Sequence, residues 1–385
     1  MVLLTHMSLR TADHLPPLVS DHRAPNTPYL ELDIDIAIDR YAQLRVGLPN
    51  TGIHYAVKAN PHPALLAALA DSGCSFDVAS PDEVRAALAA GATTDQLLYS
   101  NPVKRADHIA EAAALGVSLF VADSLVEVRK IAVHAPRSAL LCRLATSGAG
   151  SDWPLSRKYG CTAAEAVEVL CLAEGLGLEA AGVSFHVGSQ QRSPAAWSEA
   201  IADAAEVFWA ARSRGLHPWL LDLGGGFPAR HQGSTPPLPD YTATIAGALL
   251  ESFGEHQPRT VIEPGRGVVG DAGTVVTSVV EVVPRGGARW VFLDAGVFTG
   301  MVECLDEAIV YRLSSTATGP VGPCVLAGPT CDSADVLYER TPVDLPLSLR
   351  AGDVVRLHSA GAYTTCYSTV GFNGFAPMGT VVVGG

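Results

Sequence analysis

The chain has 385 residues, 48% hydrophobic and 17% charged, so it can bury a large core and is not a disordered polypeptide. The length fits one large barrel plus a second domain. The net charge of -13 argues against a nucleic-acid partner, because phosphate binding needs clustered Lys and Arg. It is compatible with attracting a small cationic molecule, although ordinary acidic solubility accounts for it more readily.

Residues 1–28 are rich in proline and polar side chains and are expected to be partly mobile. The start lacks a basic n-region and a long apolar core, and the eight cysteines form no CxxC pair. Free thiols in a reducing cytoplasm are therefore expected. No run approaches the ~20 apolar residues of a membrane span. The 12 histidines form no HExxH or other metal-ligand spacing, so neither a membrane nor a metal is expected as partner.

From residue 53 to 263 short β-type runs alternate with stretches of helical period. The runs are 53–57, 75–78, 96–99, 118–122, 140–144, 182–186, 219–223 and 260–263. Between two of them Ser80-Pro81-Asp82-Glu83 reads as a capped helix start. Eight such units predict an α/β fold, a (β/α)8 barrel rather than an open doubly wound sheet. After residue 270 the runs 274–283, 289–293, 324–327, 354–357 and 380–383 are β-branched and divided by Gly and Pro, which predicts a mainly antiparallel β domain. The expected division is an N-terminal segment over 1–34 whose strand joins the β domain, a barrel over 35–268 and the β domain over 269–385.

In a barrel of this kind chemistry gathers where strands end. The first run ends at Lys58, in Tyr55-Ala-Val-Lys-Ala-Asn60. Desolvation on an apolar wall would lower the pKa of this amine and favour imine chemistry, although most lysines at strand ends simply reach solvent. The following runs end at Asp77, Asp123, Arg143, His186 with Ser189, the triplet Gly224, Gly225 and Gly226, and finally Glu263 with Arg266. Three glycines after a strand can turn backbone N–H groups toward a phosphate, and Arg266 next door can add a fork of donors. The dinucleotide reading is weak because Pro228 interrupts the turn into a helix. Glu263 is free to face a heteroaromatic nitrogen, and the His186 imidazole can stack on a flat ring. A lysine for an imine, a phosphate cradle and a carboxylate for a ring nitrogen together describe pyridoxal 5'-phosphate.

Eight ordered motifs carry a family resemblance: Tyr55-Ala-Val-Lys-Ala-Asn60, Phe76-Asp-Val-Ala-Ser80, Phe185-His-Val-Gly-Ser189, Gly224-Gly-Gly-Phe-Pro228, Glu263-Pro-Gly-Arg266, Gly328-Pro-Thr-Cys-Asp332, Gly361-Ala-Tyr363 and Phe372-Asn-Gly-Phe375. Over roughly residues 30 to 380 the chain resembles the fold-type III PLP-dependent decarboxylases, most of all the bacterial ornithine/lysine branch. The resemblance implies that Lys58 forms the imine, Glu263 pairs with the pyridine nitrogen and His186 stacks on the ring. Ser189, Gly224, Gly225, Gly226, Arg266 and Tyr363 would hold the phosphate, with Asp77, Glu83 and Arg143 in support. Cys331 would return a proton to the substrate, Asp332 and either Asp306 or Glu307 would read its distal amine, and Phe372 would wall its carboxylate.

The resemblance also implies a head-to-tail homodimer with shared active sites. Cys331, Asp332 and Phe372 would reach the partner's barrel, and Lys158 and Asp335 would pair across the interface. The segment Val297-Phe-Thr-Gly300 departs from the glycine-rich form expected there, which bears on substrate size. The implied activity is decarboxylation of L-ornithine to putrescine, with L-lysine to cadaverine as a second activity, in polyamine synthesis. Arginine or diaminopimelate decarboxylation, or racemisation on the same barrel, are the alternatives. Asp306-Glu307 argues against a second substrate carboxylate, and Gly328-Pro-Thr-Cys-Asp332 favours decarboxylation over racemisation.

Overall fold

The computed structural model describes residues 26–155 and 157–385. The expectation for residues 1–25 and the start of the N-terminal segment lies outside the described residues.

In chain order, strand β1 (Tyr29–Asp33) leads into helix α1 (Ile34–Gly47), whose first turn is capped by the Asp33 carboxylate. Then follow β2 (Thr51–Ala56), α2 (Pro63–Asp71), β3 (Ser75–Val78), α3 (Pro81–Ala89), β4 (Leu97–Tyr99), α4 (Ala106–Ala114), β5 (Leu119–Ala122), α5 (Leu125–His134) and β6 (Ala139–Arg143). A short strand β7 (Ser151–Trp153) precedes α6 (Ala163–Gly175) and β8 (Glu179–Ser184). Next come β9 (Ser189–Gln191), α7 (Ala195–Ser213), β10 (Leu220–Asp222), α8 (Leu238–Phe253), β11 (Arg259–Ile262) and the single turn α9 (Arg266–Val269). The eight long-range parallel strands close as β10-β11-β2-β3-β4-β5-β6-β8. All eight runs expected from sequence are barrel strands.

Local chemistry sets the helix starts. The Ser80 hydroxyl accepts from the Glu83 N–H at 3.2 Å with Pro81 in the first turn, and Thr162 with Glu165 makes a capping box on α6. The barrel interior is a small apolar plug of Leu98, Val121, Leu141, Ala181, Leu220 and Val261, while the opposite faces of the same strands pack under the helices. The plug fills the lower barrel, so open space is confined to the rim at the strand carboxyl ends.

The second sheet comprises β12 (Gly273–Arg285), β13 (Ala288–Leu293), β14 (Arg312–Ser315), β15 (Val321–Ala327), β16 (Val336–Pro346), β17 (Val354–His358) and β18 (Gly379–Val383), with β1 between β12 and β18. It is mainly antiparallel, with β1/β18 and β13/β15 as parallel pairs. It has its own core, including Leu30, Val275, Leu293, Tyr338 and Leu357. Sequence reading missed β14 and β16. β14 is four half-buried residues, and the middle of β16, Glu339–Thr341, is solvated, so neither shows clean alternation. The two-stranded antiparallel β7/β9 sheet was missed for the same reason, being two short three-residue strands far apart in the chain.

The β domain is stitched to the barrel rim beside Lys58. The Asn60 side chain donates to the Gly361 carbonyl at 2.9 Å, and the Tyr363 N–H donates to the Ala59 carbonyl at 2.8 Å. A Cβ at Gly361 would lie 1.9 Å from the Val269 carbonyl oxygen, so only glycine lets this segment lie against the barrel.

Candidate active site

One pocket at the rim is walled by Ala56, Lys58, His186, Gly226, Glu263 and Tyr363, with Ser189 and Arg266 at one end. A larger hollow lies outside the barrel between α6 and α7, but Ala164, Val167, Val207 and Ala210 dominate its wall and its charged groups do not converge. The convergent polar groups are what mark the rim pocket as the site.

Lys58 sits in a single helical turn just after β2, with 44% of its side chain accessible to the pocket. Its ammonium donates to Asp77 at 2.5 Å. Asp77 is fully buried, and its other oxygen accepts from the Ser100 hydroxyl. The expected lowering of the Lys58 pKa is corrected here. Burial does pull it down, but the negative charge of Asp77 and its hydrogen bond outweigh burial and hold it above the ordinary lysine range. Lys58 is thus charged at rest and must give up a proton before its amine can attack a carbonyl. Glu83 folds back to accept from the Ala79 N–H at 2.7 Å, and burial raises its pKa.

Across the pocket, His186 Nδ1 accepts from the Gly188 N–H at 3.0 Å, which leaves the ring proton on Nε2. Burial, with Arg143 and Lys58 nearby, pushes its pKa well below the usual value, so the ring is neutral. A Cβ at Gly225 would stand 3.1 Å from His186 Nε2 and 2.6 Å from the Glu263 carbonyl oxygen, so glycine keeps this wall thin. Glu263 is buried and its Oε1 has no hydrogen-bond partner among the described residues. Burial and the like charge of Asp222 raise its pKa, which favours its protonated form. Asp222 also rises, to about 7, chiefly through burial.

At the other end Arg266 reaches Ser189 Oγ at 3.3 Å, lies 5.1 Å from the Tyr363 ring centroid, and has a buried Nη1 without a partner among the described residues. Tyr363 is held at φ 56, an unfavourable backbone state for a tyrosine. Gln190 exchanges two bonds with the Ala229 backbone, at 2.8 and 3.0 Å, and so fixes the loop that carries the three glycines. A cation and an orphaned N–H at one end, an orphaned carboxyl oxygen at the other and a lysine between fit pyridoxal 5'-phosphate.

The remaining expected site residues are not brought to this pocket. Cys331 is exposed, its N–H donating to Asn373 Oδ1 at 3.0 Å and its Sγ accepting from Asn373 Nδ2 at 3.3 Å. Asp332 Oδ1 accepts from the Ala334 N–H. Phe372 packs on Phe298 with ring centroids 5.0 Å apart. Asp306 pairs with Arg340 at 3.1 Å and is 93% exposed. Glu307 is committed to backbone, accepting from the Glu339, Arg340 and Thr341 N–H groups. Asp335 is buried and accepts from Val297 N, Thr330 N and Thr330 Oγ1, so its carboxylate organises the Cys331 loop within the chain. The Lys158 ammonium lies over the Tyr159 ring at 4.9 Å.

Sequence reasoning missed Ser100, Gln190, Asn373, Asp222 as a neighbour of Glu263, and Glu303. Glu303 lies 2.6 Å from Arg266. Asp222 alone carried a signal, as the last residue of a barrel strand.

The family model for the pyridoxal-dependent decarboxylase, pyridoxal binding domain, matches residues 35–270. The lysine/ornithine decarboxylase of Selenomonas ruminantium is 35% identical, over 92% of this chain and 89% of that protein. The chloroplastic ornithine decarboxylase of Nicotiana glutinosa is 35% identical, over 90% of this chain and 82% of that one. The crystal structure of a lysine/ornithine decarboxylase from Vibrio vulnificus, complexed with cadaverine, superposes with a TM-score of 0.84 at 34% identity, covering 93% and 94% of the two chains. A family match across the whole barrel, on the strands that bear Lys58, His186 and Glu263, means that the chain belongs to the pyridoxal-dependent decarboxylase family.

Proposed function

We propose that this protein decarboxylates a basic L-amino acid with pyridoxal 5'-phosphate, L-ornithine first and L-lysine second, yielding putrescine or cadaverine. The observation that carries the reading is the rim pocket, where Lys58–Asp77, Glu263 and Arg266–Ser189 face one space in a family-matched barrel. The cofactor supplies an electron sink for the pair left when the bond from Cα to the carboxylate breaks.

The chain's own residues do the rest. Arg266, Ser189, Tyr363 and the backbone of Gly224, Gly225 and Gly226 hold the phosphate. Asp77 takes up charge and proton from Lys58 as the amine becomes a nucleophile. Glu263, whose burial favours the protonated form, would share a proton with a ring nitrogen. The neutral His186 ring would stack on a flat partner without adding positive charge.

Cys331, Asp332, Asp306 and Phe372 act in the barrel of a second copy. Support comes from their position away from the pocket of their own chain, and from an exposed apolar stretch that includes Tyr367, Val370, Phe372 and Phe375. Asp306 rather than Glu307 reads the distal ammonium, because Glu307 is bound to backbone. An apolar wall at Phe372 destabilises the departing carboxylate. The free state of all eight cysteines supports a reducing, cytoplasmic setting. Among the described residues no helix is long and apolar enough to cross a membrane.

Carbon dioxide release from L-ornithine, L-lysine, L-arginine and diaminopimelate tests the substrate. The expected order is ornithine above lysine, with the others near background, and no release from any of the four would sink the proposal. Mixing the inactive Lys58→Ala and Cys331→Ala proteins should restore part of the activity. A mixture that stays inactive would sink the shared site.

A further inference from the structure

Arg266 is the cation at the phosphate end of the pocket, yet its charge is already matched. Its Nη2 donates to Glu303 Oε1 at 2.6 Å, and both side chains are at most 5% exposed. Glu303 Oε2, Arg266 Nη1 and the Tyr311 hydroxyl are buried with no hydrogen-bond partner among the described residues. The pair is therefore only half satisfied, with one open oxygen and one open N–H.

Among the described residues no second cation pairs with Glu303: Lys58 shares the pocket but is paired with Asp77, and Arg192, the other cation near His231, is paired with Asp152. Tyr363 and Tyr367 approach from the segment after β17, Cys366 lies between them, and Cys304 neighbours Glu303 in chain and donates its thiol to Tyr338. Glu307 lies four residues on, bound to backbone. The His231 ring meets Tyr311 edge-on at 5.1 Å and is neutral, because burial and Arg266 lower its pKa to about 3. Asp271, the remaining acid near His231, is paired with Arg40 at 3.2 Å. A phosphate dianion arriving at Arg266 thus meets one cation and one carboxylate in a buried site, and like charges held that close favour taking up a proton.

We propose that Glu303 couples cofactor binding to proton uptake. As the phosphate seats on Arg266, the Glu303–phosphate pair gains one proton from solvent, so cofactor affinity falls as pH rises and Glu303 sets how readily the cofactor leaves. The inference rests on the reading that Arg266 receives the phosphate. Proton balance is complete: one proton enters from solvent on binding and returns on release. The complex holds more protons than the free partners, so the sign is a loss of affinity toward high pH, at most about tenfold per pH unit.

The test uses the full-length protein stripped of cofactor. The probes are pyridoxamine 5'-phosphate and pyridoxamine, neither of which can form an imine with Lys58. The dissociation constant of pyridoxamine divided by that of pyridoxamine 5'-phosphate isolates the phosphate contribution and cancels proton changes at the ring and amine. In the unmodified protein this ratio should shrink between about pH 7 and 9, where the phosphate in solution is already mostly dianionic. In Glu303→Gln, near-isosteric and checked by its melting curve, the ratio should be at least about tenfold larger at the alkaline end and independent of pH. A Glu303→Gln ratio equal to or below that of the unmodified protein, or one that keeps the pH slope, overturns the proposal. Arg266→Gln should collapse the ratio. If it does not, the phosphate lies elsewhere and both readings fall, whereas collapse in Arg266→Gln without a gain in Glu303→Gln removes the Glu303 inference alone.

Discussion

The rim pocket and the loop face around Cys331 are built by opposite rules. In the pocket most charges are buried and answered within one chain: Asp77 by Lys58 and Ser100, and Arg266 by Glu303. On the loop face Cys331, Asp332, Asp306 and Phe372 are exposed, and their bonds hold the shape of loops rather than surround a ligand. A buried, preorganised half can grip a flat anionic cofactor unaided, whereas a solvated thiol and carboxylate become selective only when a second surface excludes water.

The sharpest way to break that contrast is to remove one residue from each side. Lys58→Ala should abolish both carbon dioxide release and the visible absorbance of bound cofactor. Cys331→Ala should leave the absorbance intact and lower kcat by ~10²–10⁴-fold, the usual worth of a positioned proton donor. If Cys331→Ala loses the cofactor as well, the two regions are not separate in function.

The neighbouring acids sharpen it further. Glu307→Ala should lower the melting temperature, by the equivalent of about 1–3 kcal/mol, because it strips the acceptor from three N–H groups of β16. Asp306→Ala should leave the melt unchanged and raise KM for L-ornithine about fivefold, as expected for an exposed ion pair. The reverse pattern would reassign the amine-reading role to Glu307.

The smallest effect is a pH slope of stability in the cofactor-free protein. Asp222 rises from 3.8 to about 7 chiefly through burial. A carboxyl raised in the folded state stabilises fully below its unfolded value, and that contribution is lost as pH climbs through the folded one. Melting temperature should therefore decline from about pH 4 to 7, and Asp222→Asn should flatten the decline. The same slope in Asp222→Asn would place its origin elsewhere.

Much of this was legible in the chain. The eight barrel strands show because parallel barrel strands are buried on both faces and read as apolar runs between helical periods. Lys58, His186, Glu263 and Arg266 show because each follows such a run. The strands β14 and β16 do not, since half-exposed polar strands lack a period.

Sequence by itself determined the fold class, the family and most of the residues that line the rim pocket, because strand ends and glycine turns are local chemistry. Only the tertiary structure decided their electrostatic state, because charge and pKa depend on neighbours distant in chain. Asp77 lies 19 positions from Lys58, and its charge reverses the expected pKa shift. Glu303 lies 37 positions from Arg266, in another domain, and no spacing rule could have paired them.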